Sequence, residues 1–152
     1  MKAIRKTSIG TISIEDDGKA IIEVVLNSDE KVTSKASSPL VEEAFRQLNE
    51  YLAGKRTSFD LPLRAEGTPF MKSVWQALQE IPYGKTVSYK DIAEAIGRPQ
   101  ACRAVGLANN RNPIAIFIPC HRVIGKNGHL VGYGGGLDMK EQLLKLEGNL
   151  LS

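Results

Sequence analysis

The sequence predicts a small antiparallel α/β domain followed by a mainly α, winged-helix-like domain. Three observations lead there. Alternating and β-branched residues crowd the segment Ile4 to Leu26, helical periodicity dominates from Thr68 onward, and residues 55–67 between them have no clear period. The 152 residues are 42% hydrophobic and 24% charged, an ordinary globular composition that excludes disordered, collagen-like and disulfide-scaffold classes. The longest aliphatic and aromatic run, Ile114 to Ile118, is far short of the roughly 18 residues of a membrane span. Polar residues follow Met1-Lys2-Ala3-Ile4-Arg5-Lys6 where a signal peptide would be apolar. The expectation is a cytoplasmic protein that does not engage membranes.

In the first part, Thr11-Ile12-Ser13-Ile14 alternates, Asp17-Gly18 supplies a hairpin turn, and Ala20 to Leu26 supplies a β-branched partner. Ser38 caps a helix with Pro39 at its first position and Glu42 and Glu43 in its first turn. Leu40, Val41, Ala44, Leu48, Tyr51 and Leu52 form its apolar stripe, and Gly54 closes it. The boundary falls after Glu66, giving domains of residues 1–66 and 67–152. Thr68-Pro69 then opens a helix with Phe70, Met71, Val74, Leu78 and Ile81 on one face, ended by Pro82-Tyr83-Gly84.

Ser88 and Asp91, spaced as a capping box, start a short helix through Ile92, Ala93 and Ile96. Gly97-Arg98-Pro99 turns the chain into a second helix, from about Gln100 to Asn110. Two short helices across a three-residue turn are the sequence form of a helix-turn-helix. Asn127-Gly128 between Val123-Ile124 and Leu130-Val131 predicts a small hairpin of the kind that forms a wing. The last helix is expected from about Asp138 to Glu147.

Charge is unevenly distributed. The first 66 residues hold 10 Lys and Arg against 11 Asp and Glu, and the remainder 10 against 6. A basic surplus in the second part suits a phosphate backbone, although a solvated surface explains so small an excess equally well. The two cysteines, Cys102 and Cys120, can form at most one bridge, and both are expected as thiols. Their spacing and that of the two histidines complete no zinc pattern, so no metal is expected. Cys102 reads as small helix packing, and His129 as a solvated residue of the wing.

The segment Ile118-Pro119-Cys120-His121-Arg122-Val123 puts a thiol beside an imidazole and a guanidinium. The thiolate is the nucleophilic form of cysteine, and a nearby base or positive charge makes it easier to form. Adjacent side chains of an extended segment point apart, so His121 can serve Cys120 only where the backbone turns or through a bridging water. An acid must also orient the ring, and Asp138, Glu141 and Glu147 are all candidates by spacing.

Ile118 to Val123 resembles the active-site signature of the O6-alkylguanine-DNA alkyltransferases. Further blocks, in the family's order and spacing, are Pro82-Tyr83-Gly84-Lys85-Thr86-Val87-Ser88-Tyr89, Arg103-Ala104-Val105-Gly106, Asn112-Pro113, Gly132-Tyr133-Gly134-Gly135-Gly136-Leu137 and Leu146-Glu147-Gly148. The resemblance runs from about Phe70 to Gly148, with only the strand-rich pattern fitting before residue 65. It implies a ribonuclease H-like first domain, a DNA-binding second domain, a monomer, no cofactor, and a partner in double-stranded DNA containing O6-alkylguanine.

By that resemblance Cys120 takes the alkyl group from guanine's exocyclic oxygen, irreversibly and once per molecule. His121 would act through a water as its base, with Glu147 holding the ring. Tyr89 would donate its phenolic proton toward the leaving guanine. A lesion within a duplex must be rotated out of the stack, at a cost of roughly a few kcal/mol, and Arg103 would fill the gap. Ala104 and Gly106, with Ala101 and Ala108, are small enough for close approach to the minor groove, where sequence readout is degenerate. Asn112 would tie the recognition helix to the active-site segment. Tyr133, Gly134 and Gly135 would cover the flipped base, with carbonyls of Cys120 and Val123 accepting from its amine. Some relatives have Ser where this chain has Gly134, so a hydroxyl contact is lost here.

Three other readings compete. A recognition-only protein would lack the acceptor cysteine, which is present. A winged-helix regulator leaves the Cys-His-Arg segment unexplained, and nothing suggests the acyl pocket of a Cys-His hydrolase. Alkylation adds bulk beside the recognition helix, which predicts a destabilised spent protein.

Overall fold

The computed structural model describes residues 1–33, 35–125 and 136–148. They form two compact units: Met1–Glu66 with Pro113–Phe117, and Gly67–Asn112 with the chain from Ile118 onward.

In the first unit β1 (Lys2–Thr7), β2 (Gly10–Asp16) and β3 (Ile21–Val25) make an antiparallel sheet in that order. Ile4 lies opposite Ser13, and Ile14 opposite Val24. The Asp17-Gly18 turn forms as the sequence predicts. Asp17 Oδ1 accepts from the amides of Lys19 and Ala20, both at 2.8 Å, and Gly18 takes a φ of 92°, which a side chain would resist. The alternation in β2 predicts a strand with one wet face, yet Ile12, Ser13 and Ile14 are all buried. As the central strand, β2 is covered on both sides.

Helix α1 (Pro39–Leu52) follows, and the Ser38 hydroxyl accepts from Val41 N at its start. Its buried face includes Val41, Ala44, Leu48 and Tyr51 from the predicted stripe, together with Phe45 and Gln47. Gln47 explains why residues 55–67 are not a loose connection. Its amide accepts from Asp60 N at 2.9 Å and donates to Asp60 O at 3.1 Å. Phe59 sits against Tyr51, with ring centroids 5.2 Å apart, and meets Phe117 edge-on at 4.6 Å. The edge of β3 is covered by Leu63, opposite Ile21, and by Ile114, opposite Val24. Pro113–Phe117 therefore extends the first unit although it lies far along the chain. Within it Phe117 N donates to Ala115 O at 2.8 Å across Ile116, whose φ of 72° is unusual for a β-branched residue.

The second unit is built on α2 (Pro69–Leu78), α3 (Tyr89–Ala95) and α4 (Cys102–Asn110), which pack on one another. Thr68 caps α2, and the Ser88–Asp91 capping box of α3 has both reciprocal bonds. Ile81 is buried but lies beyond the end of α2. Gly67 leaves room for Trp75: a methyl group there would stand 2.6 Å from the indole ring. The indole Nε1 donates to Ala108 O at 2.8 Å and so ties α2 to α4. Helix α4 begins two residues later than Gln100, because Ala101 N turns back to Arg98 O and Ala101 has no side-chain acceptor to cap it.

Val123–Ile124 forms β5, which pairs in parallel with β4 (Val87–Ser88). Asn127-Gly128, Leu130-Val131 and His129, which carry the predicted wing, lie outside the described residues. Helix α5 (Leu137–Leu146) is the last element among the described residues, and Glu147 caps its end. No helix among the described residues is long and apolar enough to cross a membrane.

Candidate functional site

The site grows from the turn carrying Cys120. Proline at 119 fixes its own φ and has no N–H, and at φ −81°, ψ 64° it occupies the centre of an inverse γ-turn. Cys120 N accordingly donates to Ile118 O at 2.8 Å. Cys120–Arg122 then forms a single 3-10 turn, so the backbone turns at the position where the sequence required it to turn or to use water. Cys120, His121 and Arg122 are all buried.

Two amides from the end of α4 hold this turn. Asn112 Nδ2 donates to Ile118 O at 2.8 Å, and Asn109 Nδ2 donates to Cys120 O at 3.4 Å. Asn112 thus ties the helix to the cysteine segment, while Asn109 is a tie that sequence reasoning missed.

Of the three acids left open by spacing, Glu147 meets His121. Its Oε2 lies 2.7 Å from His121 Nε2, and neither side chain is exposed. Asp138 is exposed on α5, and Glu141 pairs with Lys145 at 2.9 Å. Glu147 also accepts from Arg122 Nε at 2.8 Å, from Arg122 Nη2 at 3.0 Å and from Gly84 N at 3.2 Å. The third Arg122 nitrogen, Nη1, donates to Ile81 O at 2.7 Å. The sequence suggested that the guanidinium activates sulfur; its donors are instead committed to Glu147 and to a backbone carbonyl.

A carboxylate oxygen at 2.7 Å can only accept, so His121 carries its proton on Nε2 and presents a lone pair at Nδ1. Nδ1 is buried and makes no hydrogen bond within the described chain. Burial holds the His121 pKa below its usual value, against the opposing pull of Glu147. The imidazole is therefore neutral at physiological pH and able to take a proton.

Tyr89, half-buried at the start of α3, packs with its ring against Gly106 of α4, where a methyl group would stand in ordinary contact at 3.8 Å. Burial raises the phenol's pKa, and the charge of a Cys120 thiolate raises it further, which places phenol and sulfur in one electrostatic environment. Val123 is fully buried beside the turn. Arg103 and Ala104 are exposed on α4, whereas Ala108 is buried under Trp75. The same helix exposes Leu107, at 53%, which the search for small residues passed over. Cys102 is partly buried, and neither cysteine is in a disulfide. Tyr133, Gly134 and Gly135 lie outside the described residues.

The remaining missed residue is Lys140, fully buried on α5. Its signal was readable: it stands two turns before Glu147, on the stripe of Met139, Leu143 and Leu144, where a lysine is out of place. No group of three or more potential metal ligands occurs among the described residues.

Comparison with known proteins agrees with this fold. Residues 69–149 match the 6-O-methylguanine DNA methyltransferase DNA binding domain, and residues 1–65 match the ribonuclease-like domain of the same family. A methylated-DNA–protein-cysteine methyltransferase of Methanosarcina acetivorans is 53% identical over 152 residues, 97% of each chain. The constitutive one of Bacillus subtilis is 46% identical over 151 residues, 93% of this chain and 92% of that one. The crystal structure of Mycobacterium tuberculosis OGT in complex with DNA superposes with a TM-score of 0.84 at 43% identity, covering 96% of this chain and 91% of that one. The chain belongs to the 6-O-methylguanine DNA methyltransferase family, with an antiparallel-sheet domain followed by a helical DNA-binding domain.

Proposed function

We propose that this chain repairs double-stranded DNA by moving the alkyl group of O6-alkylguanine onto the sulfur of Cys120, once per molecule and as a monomer. The observation that carries the reading is the buried hydrogen bond between His121, in the turn of Cys120, and Glu147 at the end of α5. It leaves Nδ1 as the basic nitrogen, which takes the thiol proton through a water, and the neutral resting state of the ring lets it do so at physiological pH. The sulfur lone pair then forms the S–C bond as the C–O6 bond breaks. Tyr89 protonates the departing guanine, whose developing charge would otherwise oppose the step.

Delivery of the lesion falls to α4. Arg103 enters the stack from the minor groove as the damaged nucleotide rotates out, Ala104 and Gly106 permit close approach, and Asn112 keeps helix and cysteine turn in register. The carbonyls of Cys120 and Val123 accept from the exocyclic amine of the flipped base. A repair assay on a duplex containing O6-methylguanine tests the assignment. Cys120→Ala is expected to abolish loss of the lesion and Cys102→Ser to leave it intact; repair by Cys120→Ala would overturn it.

A further inference from the structure

One exposed leucine needs no explanation by itself, since apolar atoms make up much of any protein surface. Leu107 is distinguished by its place. It is 53% exposed in the middle of α4, and the residues three and four positions away on either side, Arg103, Ala104, Asn110 and Arg111, are exposed as well. Residues at those spacings share one face of a helix. Val105, Ala108 and Asn109 turn the opposite way and are buried. The outward face of α4 therefore has an apolar centre, with an arginine about 6 Å along the axis in each direction, four residues at about 1.5 Å each.

No acidic residue lies between Cys102 and Arg111, so the two ends of this face are complementary to a polyanion. Its centre has a different partner. A surface that only follows phosphates gains nothing from a leucine, and a lysine in its place would serve better. In a minor groove the phosphates stand along the two edges, while sugars and base edges line the interior. Proteins that enter it frequently place an apolar side chain at a base step. Helix α4 lies within residues 69–149, which match the DNA binding domain of the family, and Leu107 stands one turn beyond Arg103 on the same face.

We propose that Leu107 is an apolar DNA contact, packing on the sugar and base edges of the step beside the one that Arg103 enters. This rests on α4 being the helix that delivers the lesion. The contact supplies affinity that does not come from counterion release, and it helps hold the stack open while the nucleotide is rotated out. Leu107 acts on delivery and leaves the chemistry at Cys120 untouched.

Fluorescence anisotropy with a labelled O6-methylguanine duplex tests the contact, in a Cys120→Ser background so that no transfer occurs. Leu107→Ala is expected to weaken binding about 5- to 10-fold at each salt concentration from about 50 to 200 mM, with the slope of affinity against salt unchanged. Leu107→Met keeps the apolar bulk and should bind within about 2-fold of its parent. With Cys120 restored, Leu107→Ala should slow repair by the same factor at subsaturating concentrations. Its melting temperature and the rate of iodoacetamide capture at Cys120 should stay as in wild type.

Unchanged binding in Leu107→Ala, while Arg103→Ala binds more weakly, would overturn the contact and leave α4 its delivery role. Unchanged binding in both would overturn the contact and the delivery role together. A salt slope altered by about one unit in Leu107→Ala would also overturn the contact, because the leucine would then act by placing a charge. So would sedimentation of wild type as a dimer and of Leu107→Ala as a monomer, since the leucine would then cover a second copy of the chain. Binding as expected with no methyl gained by wild type would instead overturn the alkyl-acceptor role while leaving the contact standing.

Discussion

His121 and Glu147 are joined by a 2.7 Å hydrogen bond between two side chains that solvent does not reach, and it fixes which ring nitrogen is the base. Glu147 is equally the anchor of Arg122. Removing it strands a buried guanidinium. Glu147→Ala is expected to destabilise the protein by roughly 3–5 kcal/mol, read by chemical denaturation. Glu147→Gln retains the shape and loses the charge, so it should fold better yet transfer the alkyl group about 100-fold more slowly. Unchanged transfer in Glu147→Gln would remove the carboxylate from the mechanism.

Acid should weaken the fold through His121. Its folded pKa is depressed below 6.5, chiefly by burial. Above 6.5 neither state binds the proton and this contribution is fully present. Below 6.5 the unfolded chain binds a proton that the folded site resists, so stability falls as pH falls through the folded pKa, at up to about 1.4 kcal/mol per pH unit. Denaturation curves between pH 7.5 and 5 should show this slope reduced in His121→Asn.

Gly67→Ala tests the packing of the second unit. The residue is exposed, and a surface substitution usually has little effect. Here the added methyl would meet the Trp75 ring at 2.6 Å. A loss of roughly 1–3 kcal/mol is expected from thermal melting, with the repair rate per folded molecule unchanged.

Arg103→Ala separates delivery from chemistry. Because Arg103 is exposed, the fold should be unaffected. Repair of a methylguanine duplex should slow by at least about 10-fold while capture of Cys120 by iodoacetamide keeps its rate. Equal losses in both assays would mean that the arginine acts on the cysteine rather than on DNA.

Much of this architecture is legible in the sequence because local signals dominate it. Ser38-Pro39, Thr68-Pro69 and the Ser88–Asp91 box mark helix starts through their own side chains, and the Asp17-Gly18 turn is equally self-contained. Long-range pairings were hidden. Nothing near Pro113–Phe117 announces that it covers the edge of β3, and nothing near residues 55–67 reveals that Gln47 and Phe117 hold them. At the site, spacing alone could not choose Glu147 over Asp138 or Glu141, and the resemblance that named it comes from a motif rather than from physics. Arg122 was misread because neighbours in sequence need not interact: its fork reaches across 25 residues to Glu147. Lys140 was missed because a charged residue on an apolar stripe reads locally as an imperfection.

Stoichiometric self-alkylation at Cys120 is the step on which the proposed repair depends. Intact-protein mass after incubation with duplex DNA containing O6-methylguanine, for wild type and Cys120→Ala in parallel, tests it most directly. Wild type alone is expected to gain one methyl group, mapped to Cys120 and equal in amount to the lesion lost. Tight lesion binding with no gain in mass would contradict it and leave a recognition protein in its place.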